Sequence, residues 1–269
     1  MLERSIKLKN RLAAGETVFG AWHTIPDICT VEAIADAGFD FVIIDAEHSP
    51  WTIEALQTAL LAFRGVDTVP MARIPWNDPI YIKQALDVGL EGIMAPMIRN
   101  VAEAQALVSA CRYPPLGTRG FGPRRGSAYF RRLSDYVANA ADGIFIMPQV
   151  EDYRTVEEID AIMDIPGIDA ISIGPTDMSG TLGILGQVDH ETVNGYIDTI
   201  LSKAKARNIP VMNGLTLDTD QQATWIEKGA RMVLVSQDIS ALINETGRLL
   251  TAAREAHGLA VSTRKRVSY

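Results

Sequence analysis

Short apolar runs rich in β-branched residues alternate with longer amphipathic stretches along almost the whole chain. The clearest run is Val42, Ile43 and Ile44. Three consecutive branched residues read as a strand buried on both faces. The same criterion places strands at 17–22, 39–45, 69–73, 92–97, 144–150, 170–173, 210–213 and 232–235. Helical periodicity covers 4–14, 27–37, 52–63, 78–88, 101–112, 131–141, 155–163, 190–207, 219–228 and 239–256. Gly15, Gly38, Gly65 and Gly89 stand where helices stop, and Thr52 and the pair Asp78-Pro79 stand where helices start. Each strand therefore feeds a helix. Eight such units in one chain predict a (β/α)8 barrel, with an extra helix before the first strand. A doubly wound sheet is the other way to arrange them. It needs a glycine-rich turn after its first strand, and Trp22-His-Thr-Ile-Pro26 is not one. No linker and no repeat beyond the strand–helix unit interrupts the chain, so one domain over 1–269 is expected.

A chain of 269 residues that is 47% hydrophobic can bury a full core. Its net charge of -8 argues against a general nucleic-acid binder. No run of apolar residues is long enough for a membrane span, and the first residues carry no signal-peptide pattern. The two cysteines, Cys29 and Cys111, lack metal-ligand spacing and read as free thiols of a reducing compartment. A cytoplasmic protein is expected. The polar, basic tail from Ser262 reads as a frayed end or a subunit contact.

In such barrels the chemistry lies at the C-terminal ends of the strands. Those ends carry Trp22 and His23, then Asp45, Glu47 and His48, then Arg73, Gln149 with Glu151, Asp177, Asn213, and 236–238. Several carboxylates at one mouth suit a hard divalent cation, and Glu151 and Asp177, on adjacent strands, can grip one. Equally, Asp177 can cap a helix and Glu151 can sit in a helical first turn. Arg73 can hold a substrate carboxylate through its planar fork, or simply pair with a neighbouring acid. His48 can act as a base oriented by Asp45, or as a plain hydrogen-bonding group. His23 has no assigned role at this level, and neither do His190 and His257. The lysines fall in predicted helices or tails, which disfavours a Schiff-base mechanism. Strands seven and eight lack glycine pairs for a phosphate, and no nucleotide-binding or serine-hydrolase motif occurs.

The motifs Asp45-Ala-Glu-His48, Ala72-Arg-Ile-Pro75, Leu86-Asp-Val-Gly89, Pro114-Pro-Leu-Gly-Thr-Arg-Gly120, Gln149-Val-Glu151 and Ile173-Gly-Pro-Thr-Asp-Met-Ser179 occur in this order. Together they resemble the HpcH/HpaI aldolases, over about residues 5 to 255. The resemblance implies a barrel of the phosphoenolpyruvate/pyruvate-binding type with an exchanged C-terminal helix. It implies a class II aldolase that cleaves 4-hydroxy-2-oxoacids to pyruvate or hydroxypyruvate and an aldehyde. It further implies a divalent cation (Mg²⁺, Mn²⁺ or Co²⁺) held by Glu151 and Asp177. Arg73 would face the carbonyl oxygen, and His48, held by Asp45, would serve as base or acid. Gln149 would stand beside the metal, Gly174, Pro175 and Thr176 would hold the carboxylate, and Trp22 and Leu215 would line the mouth. Asp87 would come from a neighbouring subunit of a hexamer built as a trimer of dimers.

The chain departs from the family pattern at Phe121-Gly-Pro-Arg-Arg-Gly-Ser127 and at Asn213-Gly-Leu215. Arg124 and Arg125 either recognise an acidic or polyhydroxy acceptor or are solvated or at an interface. The alternatives to an aldolase are a lyase acting on an acyl-CoA or on oxaloacetate with the same metal site, and a catalytically silent barrel that binds a small acid.

Overall fold

The computed structural model describes residues 2–260. The strands are β1 (Val18–His23), β2 (Phe41–Asp45), β3 (Val69–Arg73), β4 (Gly92–Ala95), β5 (Phe145–Val150), β6 (Ile171–Ile173), β7 (Val211–Met212) and β8 (Met232–Gln237). They pair in sequence order, all parallel, and β8 closes back on β1. The result is the expected (β/α)8 barrel. Helix α1 (Glu3–Ala13) precedes it, and α2 (Ile28–Asp36), α3 (Ile53–Ala59), α4 (Pro79–Asp87), α5 (Val101–Cys111) and α6 (Leu133–Gly143) follow in turn. The second half adds α7 (Ile159–Met163), α8 (Pro175–Thr181), α9 (Glu191–Ala206), α10 (Thr219–Lys228) and α11 (Asp238–Ala256).

The period-two logic of a strand sorts the core into two layers. In β2, Phe41 and Ile43 point into the barrel with Val18, Val69, Met71, Phe145 and Met232. Val42 and Ile44 point outward, against the helices. Gly20 makes room for this packing, because a Cβ there would lie 2.3 Å from the Phe41 ring. The β1–β8 register also shifts between Gly20 and Ala21, a bulge at the same place. Helix α1 lies across the barrel's N-terminal end. Its Leu8 and Leu12 join the inner layer, so the barrel is corked from below. Arg4 pairs with Glu91 at the foot of β4, and Lys9 with Asp169 at 2.9 Å, tying the cork to the strands.

The helix starts follow the sequence signals. The Thr52 hydroxyl accepts from the Ala55 N–H, and the Asp78 carboxylate from the Ile80 N–H, with Pro79 in the first turn. Other boundaries moved. The segment 174–187, where neither a strand nor a helix is expected from the sequence, contains α8. The helix expected over 155–163 is a 3₁₀ turn, Tyr153–Glu157, followed by the short α7. Strand β4 stops at Ala95, because Met97 adopts a left-handed backbone (φ 54°) and turns the chain. The basic tail from Ser262 lies outside the described residues. Helix α11 buries Asp238 and Ser240 at its start, while Leu242, Ile243, Leu249 and Leu250 are exposed. Among the described residues no helix is long and apolar enough to cross a membrane. Cys29 is exposed, Cys111 is buried, and both are free; burial pushes the Cys111 thiol up to about 12.

Candidate active site

A cavity of about 730 Å³ opens at the C-terminal ends of the strands. Trp22, Asp45, His48, Arg73, Gln149, Gly174, Pro175, Thr176, Asp177 and Leu215 all line it. Glu151 stands just behind this lining, 2% exposed, packed against Gly174. A Cβ on Gly174 would fall 2.8 Å from Glu151 Oε1 and 3.1 Å from Gln149 Nε2, so only glycine allows these groups to approach one another.

Arg73 is the cationic centre. Its Nε and Nη2 donate to Asp45 Oδ1 and Oδ2 at 2.9 and 2.8 Å, a two-pronged pair between neighbouring strands. Its Nη1 lies 3.0 Å from Glu47 Oε2. The guanidinium also stacks on Trp22 at 4.6 Å, and the Trp22 indole N–H donates to Asp45 Oδ2 at 3.3 Å. The two readings of Arg73 are thus compatible, since the side chain is paired with acids and still lines the cavity. Burial opposes ionisation of Asp45. The hydrogen bonds and charge of Arg73, with the N–H groups of His48 and Glu47, outweigh it and hold the carboxyl below its ordinary range.

One expected contact is absent. Asp45 does not hold the His48 ring. Its Oδ1 accepts from the backbone N–H groups of Glu47 and His48 at 3.2 and 3.4 Å, while its other contacts go to Arg73 and Trp22. Arg73, the Trp22 indole and the two backbone N–H groups together occupy the acceptor sites of both carboxylate oxygens, which leaves none for the imidazole. Asp45 therefore fixes the turn that carries His48. The His48 side chain is 68% exposed at the mouth, with Nε2 3.8 Å from Glu47 Oε2.

Three carboxylates gather beside this cation. Burial pushes Glu151 up to about 7. The Met97 N–H, which donates to its Oε2 at 2.8 Å, works against the shift, and the negative charges of Asp177 and Glu47 add to it. Burial also raises Glu47, with Arg73 and His48 opposing and Asp45 and Asp177 reinforcing. The bland readings of the pair do not hold. Asp177 lies inside the first turn of α8, whose N-cap is Gly174 and has no side-chain cap. Glu151 precedes the 3₁₀ turn, which Asp152 caps instead. Among the described residues no group of three or more His, Cys, Asp and Glu is arranged as a metal cage. Two carboxylates with open positions beside them suit a cation that keeps waters and takes substrate oxygens.

Other residues fall elsewhere. Asp87, at the end of α4, is outside its own chain's cavity and accepts from Arg119 Nη2 at 2.7 Å. Arg125 donates to the Val88 carbonyl at 2.8 Å and closes α4, while Arg124 is exposed; neither lines the cavity. His23 is buried outside it, with Nδ1 3.1 Å from Asp238 Oδ2, and joins β1 to α11. Sequence reasoning missed Ser172 and the face of α10 carrying Gln221, Thr224 and Lys228, all of which line the cavity. Ser172 had a signal: it is a lone hydroxyl between Ile171 and Ile173, which face the helices, so it must face inward. Lys228 is partly exposed and paired with Asp198 at 2.8 Å, unlike the desolvated amine that Schiff-base chemistry needs.

An acidic mouth with one buried arginine, at the C-terminal ends of the strands of a (β/α)8 barrel, stands where enzymes of this fold bind small molecules. The family model described as HpcH/HpaI aldolase/citrate lyase matches residues 20–245, and the chain belongs to that family. A hydroxypyruvate/pyruvate aldolase of Roseobacter denitrificans is 38% identical over 249 residues, covering 91% of this chain and 95% of the relative. A 5-keto-4-deoxy-D-glucarate aldolase of an Enterobacter species is 34% identical, over 90% of this chain and 94% of its own. Among solved structures, a HpcH/HpaI aldolase/citrate lyase family protein from Burkholderia cenocepacia superposes with a TM-score of 0.88 at 32% identity. It covers 92% of this chain and 99% of its own.

Asp45→Asn removes the negative charge that holds Arg73. Because Glu47 remains, the loss at neutral pH falls at the low end of about 3–5 kcal/mol. The folded carboxyl lies below its ordinary value of 3.8, so its contribution is complete above about pH 4 and fades as pH drops through the lowered folded value. Urea unfolding of wild type and variant at several pH values should therefore show the gap narrowing on acidification. A gap that is constant from pH 3 to 7, or that widens, contradicts the assignment.

Proposed function

We propose that this protein is a divalent-metal-dependent aldolase that reversibly cleaves 4-hydroxy-2-oxoacids to pyruvate or hydroxypyruvate plus an aldehyde. The observation that carries the reading is Glu151, buried and pushed up to about 7, with the charges of Asp177 and Glu47 beside it at the mouth. Arg73 is already engaged by Asp45 and Glu47, so the cluster holds more negative charge than its own cation offsets. A dication fits that deficit, and Glu151 and Asp177 are the residues that would hold it. Bound there, a cation such as Mg²⁺, Mn²⁺ or Co²⁺ supplies positive charge against the electron density that collects on the 2-oxo group.

The chain's own groups do the rest. Gln149 flanks the 2-oxoacid. Its carboxylate lies against the 174–176 turn, where first-turn N–H groups of α8 have no intrahelical partners. Arg73 faces the carbonyl oxygen and shares its developing charge. His48, in water at the mouth, takes the proton of the 4-hydroxyl, directly or through one water. The carbon–carbon bond then breaks, the aldehyde leaves, and the electron pair passes to the donor fragment, which takes a proton at carbon 3. Trp22 and Leu215 form the apolar walls. Asp87 acts on a neighbouring subunit's mouth, because it cannot reach its own. The uncovered leucines and isoleucine of α11 offer the apolar face that an exchanged helix needs.

The protein stripped of metal should release no pyruvate from a short 4-hydroxy-2-oxoacid and regain activity with Mg²⁺, Mn²⁺ or Co²⁺. Glu151→Ala should lose at least a hundred-fold in kcat/KM, roughly what loss of a charge-stabilising group costs, while Lys228→Ala stays active. Release that ignores chelation and Glu151 sinks the metal assignment. Cleavage of an acyl-CoA or oxaloacetate in its place transfers the site to the other lyase chemistry. Metal binding should release protons and weaken as pH falls below about 7, because Glu151 must ionise to bind. Calorimetry in two buffers of different ionisation enthalpy reads this directly, and a pH-independent affinity contradicts it. Light scattering should give an oligomer, a hexamer in the full reading; a monomer removes the role of Asp87.

A further inference from the structure

Three polar atoms on the cavity floor have no partner. They are Gln149 Oε1, Ser172 Oγ and Asn213 Nδ2, and their residues are 6%, 1% and 1% exposed. They come from three successive strand ends: Gln149 pairs in register with Ser172, and Ser172 with Met212, next to Asn213. All three residues line the same cavity. The orientation of Asn213 is fixed, because its Oδ1 accepts from the Leu234 N–H at 2.7 Å and so turns Nδ2 away as a free donor. Buried polar atoms without partners cost stability, so a trio that shares one cavity wall points to a ligand group that satisfies them.

We propose that this trio binds a hydroxyl on carbon 3 of the donor, so that the site is built for a 3-hydroxy-2-oxoacid in preference to pyruvate. The inference rests on the aldolase reading and deepens it. A hydroxyl has one proton to give and two lone pairs to receive. Gln149 Oε1 accepts the proton, while Asn213 Nδ2 and Ser172 Oγ donate to the oxygen. A methyl group there satisfies none of the three, and a carboxylate would face the Gln149 oxygen. The position agrees as well. Gln149 lies two residues before Glu151 and against Gly174, and Ser172 two residues before Gly174, so the trio stands beside the 2-oxoacid end of the cavity.

A site that hydrogen-bonds a substrate hydroxyl rejects the analogue that lacks it. Isothermal titration of the Mg²⁺-supplemented wild-type protein should give a Kd for hydroxypyruvate at least ten-fold below that for pyruvate; equal affinities overturn the proposal. In Ser172→Ala, and in Asn213→Asp, which keeps the acceptor for Leu234 and removes the donor, the ratio of kcat/KM for hydroxypyruvate over pyruvate with glycolaldehyde as acceptor should fall about ten-fold, the order of one lost hydrogen bond. The change should lie in KM. A ratio that stays within two-fold in both variants means that the trio holds only water, and the proposal fails while the aldolase stands. A wild type that joins neither donor to the aldehyde yet binds both equally fails both readings.

Discussion

The site is organised by a shortage of positive charge. Asp45, Glu47, Glu151 and Asp177 share one mouth with Arg73 as the cation that pairs there. Asp45 takes that cation in the bidentate geometry that best repays desolvation, Glu47 reaches its remaining nitrogen, and Glu151 is left to burial with the charge of Asp177 beside it. The consequence is an asymmetric titration. Asp45 is held down and Glu151 is pushed up, though both are carboxylates in one cavity. Such divergence of like groups is how one site comes to hold acids with different tasks.

The barrel makes this arrangement affordable. Strands buried on both faces fix the backbone to which Asp45, Arg73, Gln149 and Glu151 are attached, and Gly174 lets the next strand's end close on them. The charged side chains buried here are therefore carried by rigid elements, while His48 and Asp177 are exposed at the mouth. This division suits a reaction in which charge must be met at fixed points while a proton has to be exchanged with the outside.

Much of this was legible in the chain, and for identifiable reasons. The strands showed because parallel strands covered on both sides must be apolar throughout, as in Val42 to Ile44. The helix starts at Thr52 and Asp78 showed because an unpaired N–H calls for a short polar side chain. The tips showed because charge at the end of such a strand has nowhere to go but a mouth. What stayed hidden depended on pairing across the sheet. That Asp45 turns to Arg73 and leaves His48 free follows from the β2–β3 register, which no local pattern encodes. The seven residues of α8 were hidden by Pro175, Gly180 and the flanking Gly174. Ser172 was passed over as one small hydroxyl in an apolar run, although alternation with its isoleucine neighbours turns it inward. Asp87, to which only the resemblance gives a role, pairs with Arg119 outside its own chain's cavity.

Helix α1 closes the barrel from below with Leu8 and Leu12, so whatever reaches the acids arrives and departs by the same door. If the proposed reaction seats the 2-oxoacid on the floor and the aldehyde above it, a single door gives it a queue. The donor enters first and leaves last, and an aldehyde that lingers at the door traps the donor beneath it. The order of the catalytic cycle is then a matter of architecture, set at the end of the barrel farthest from the chemistry.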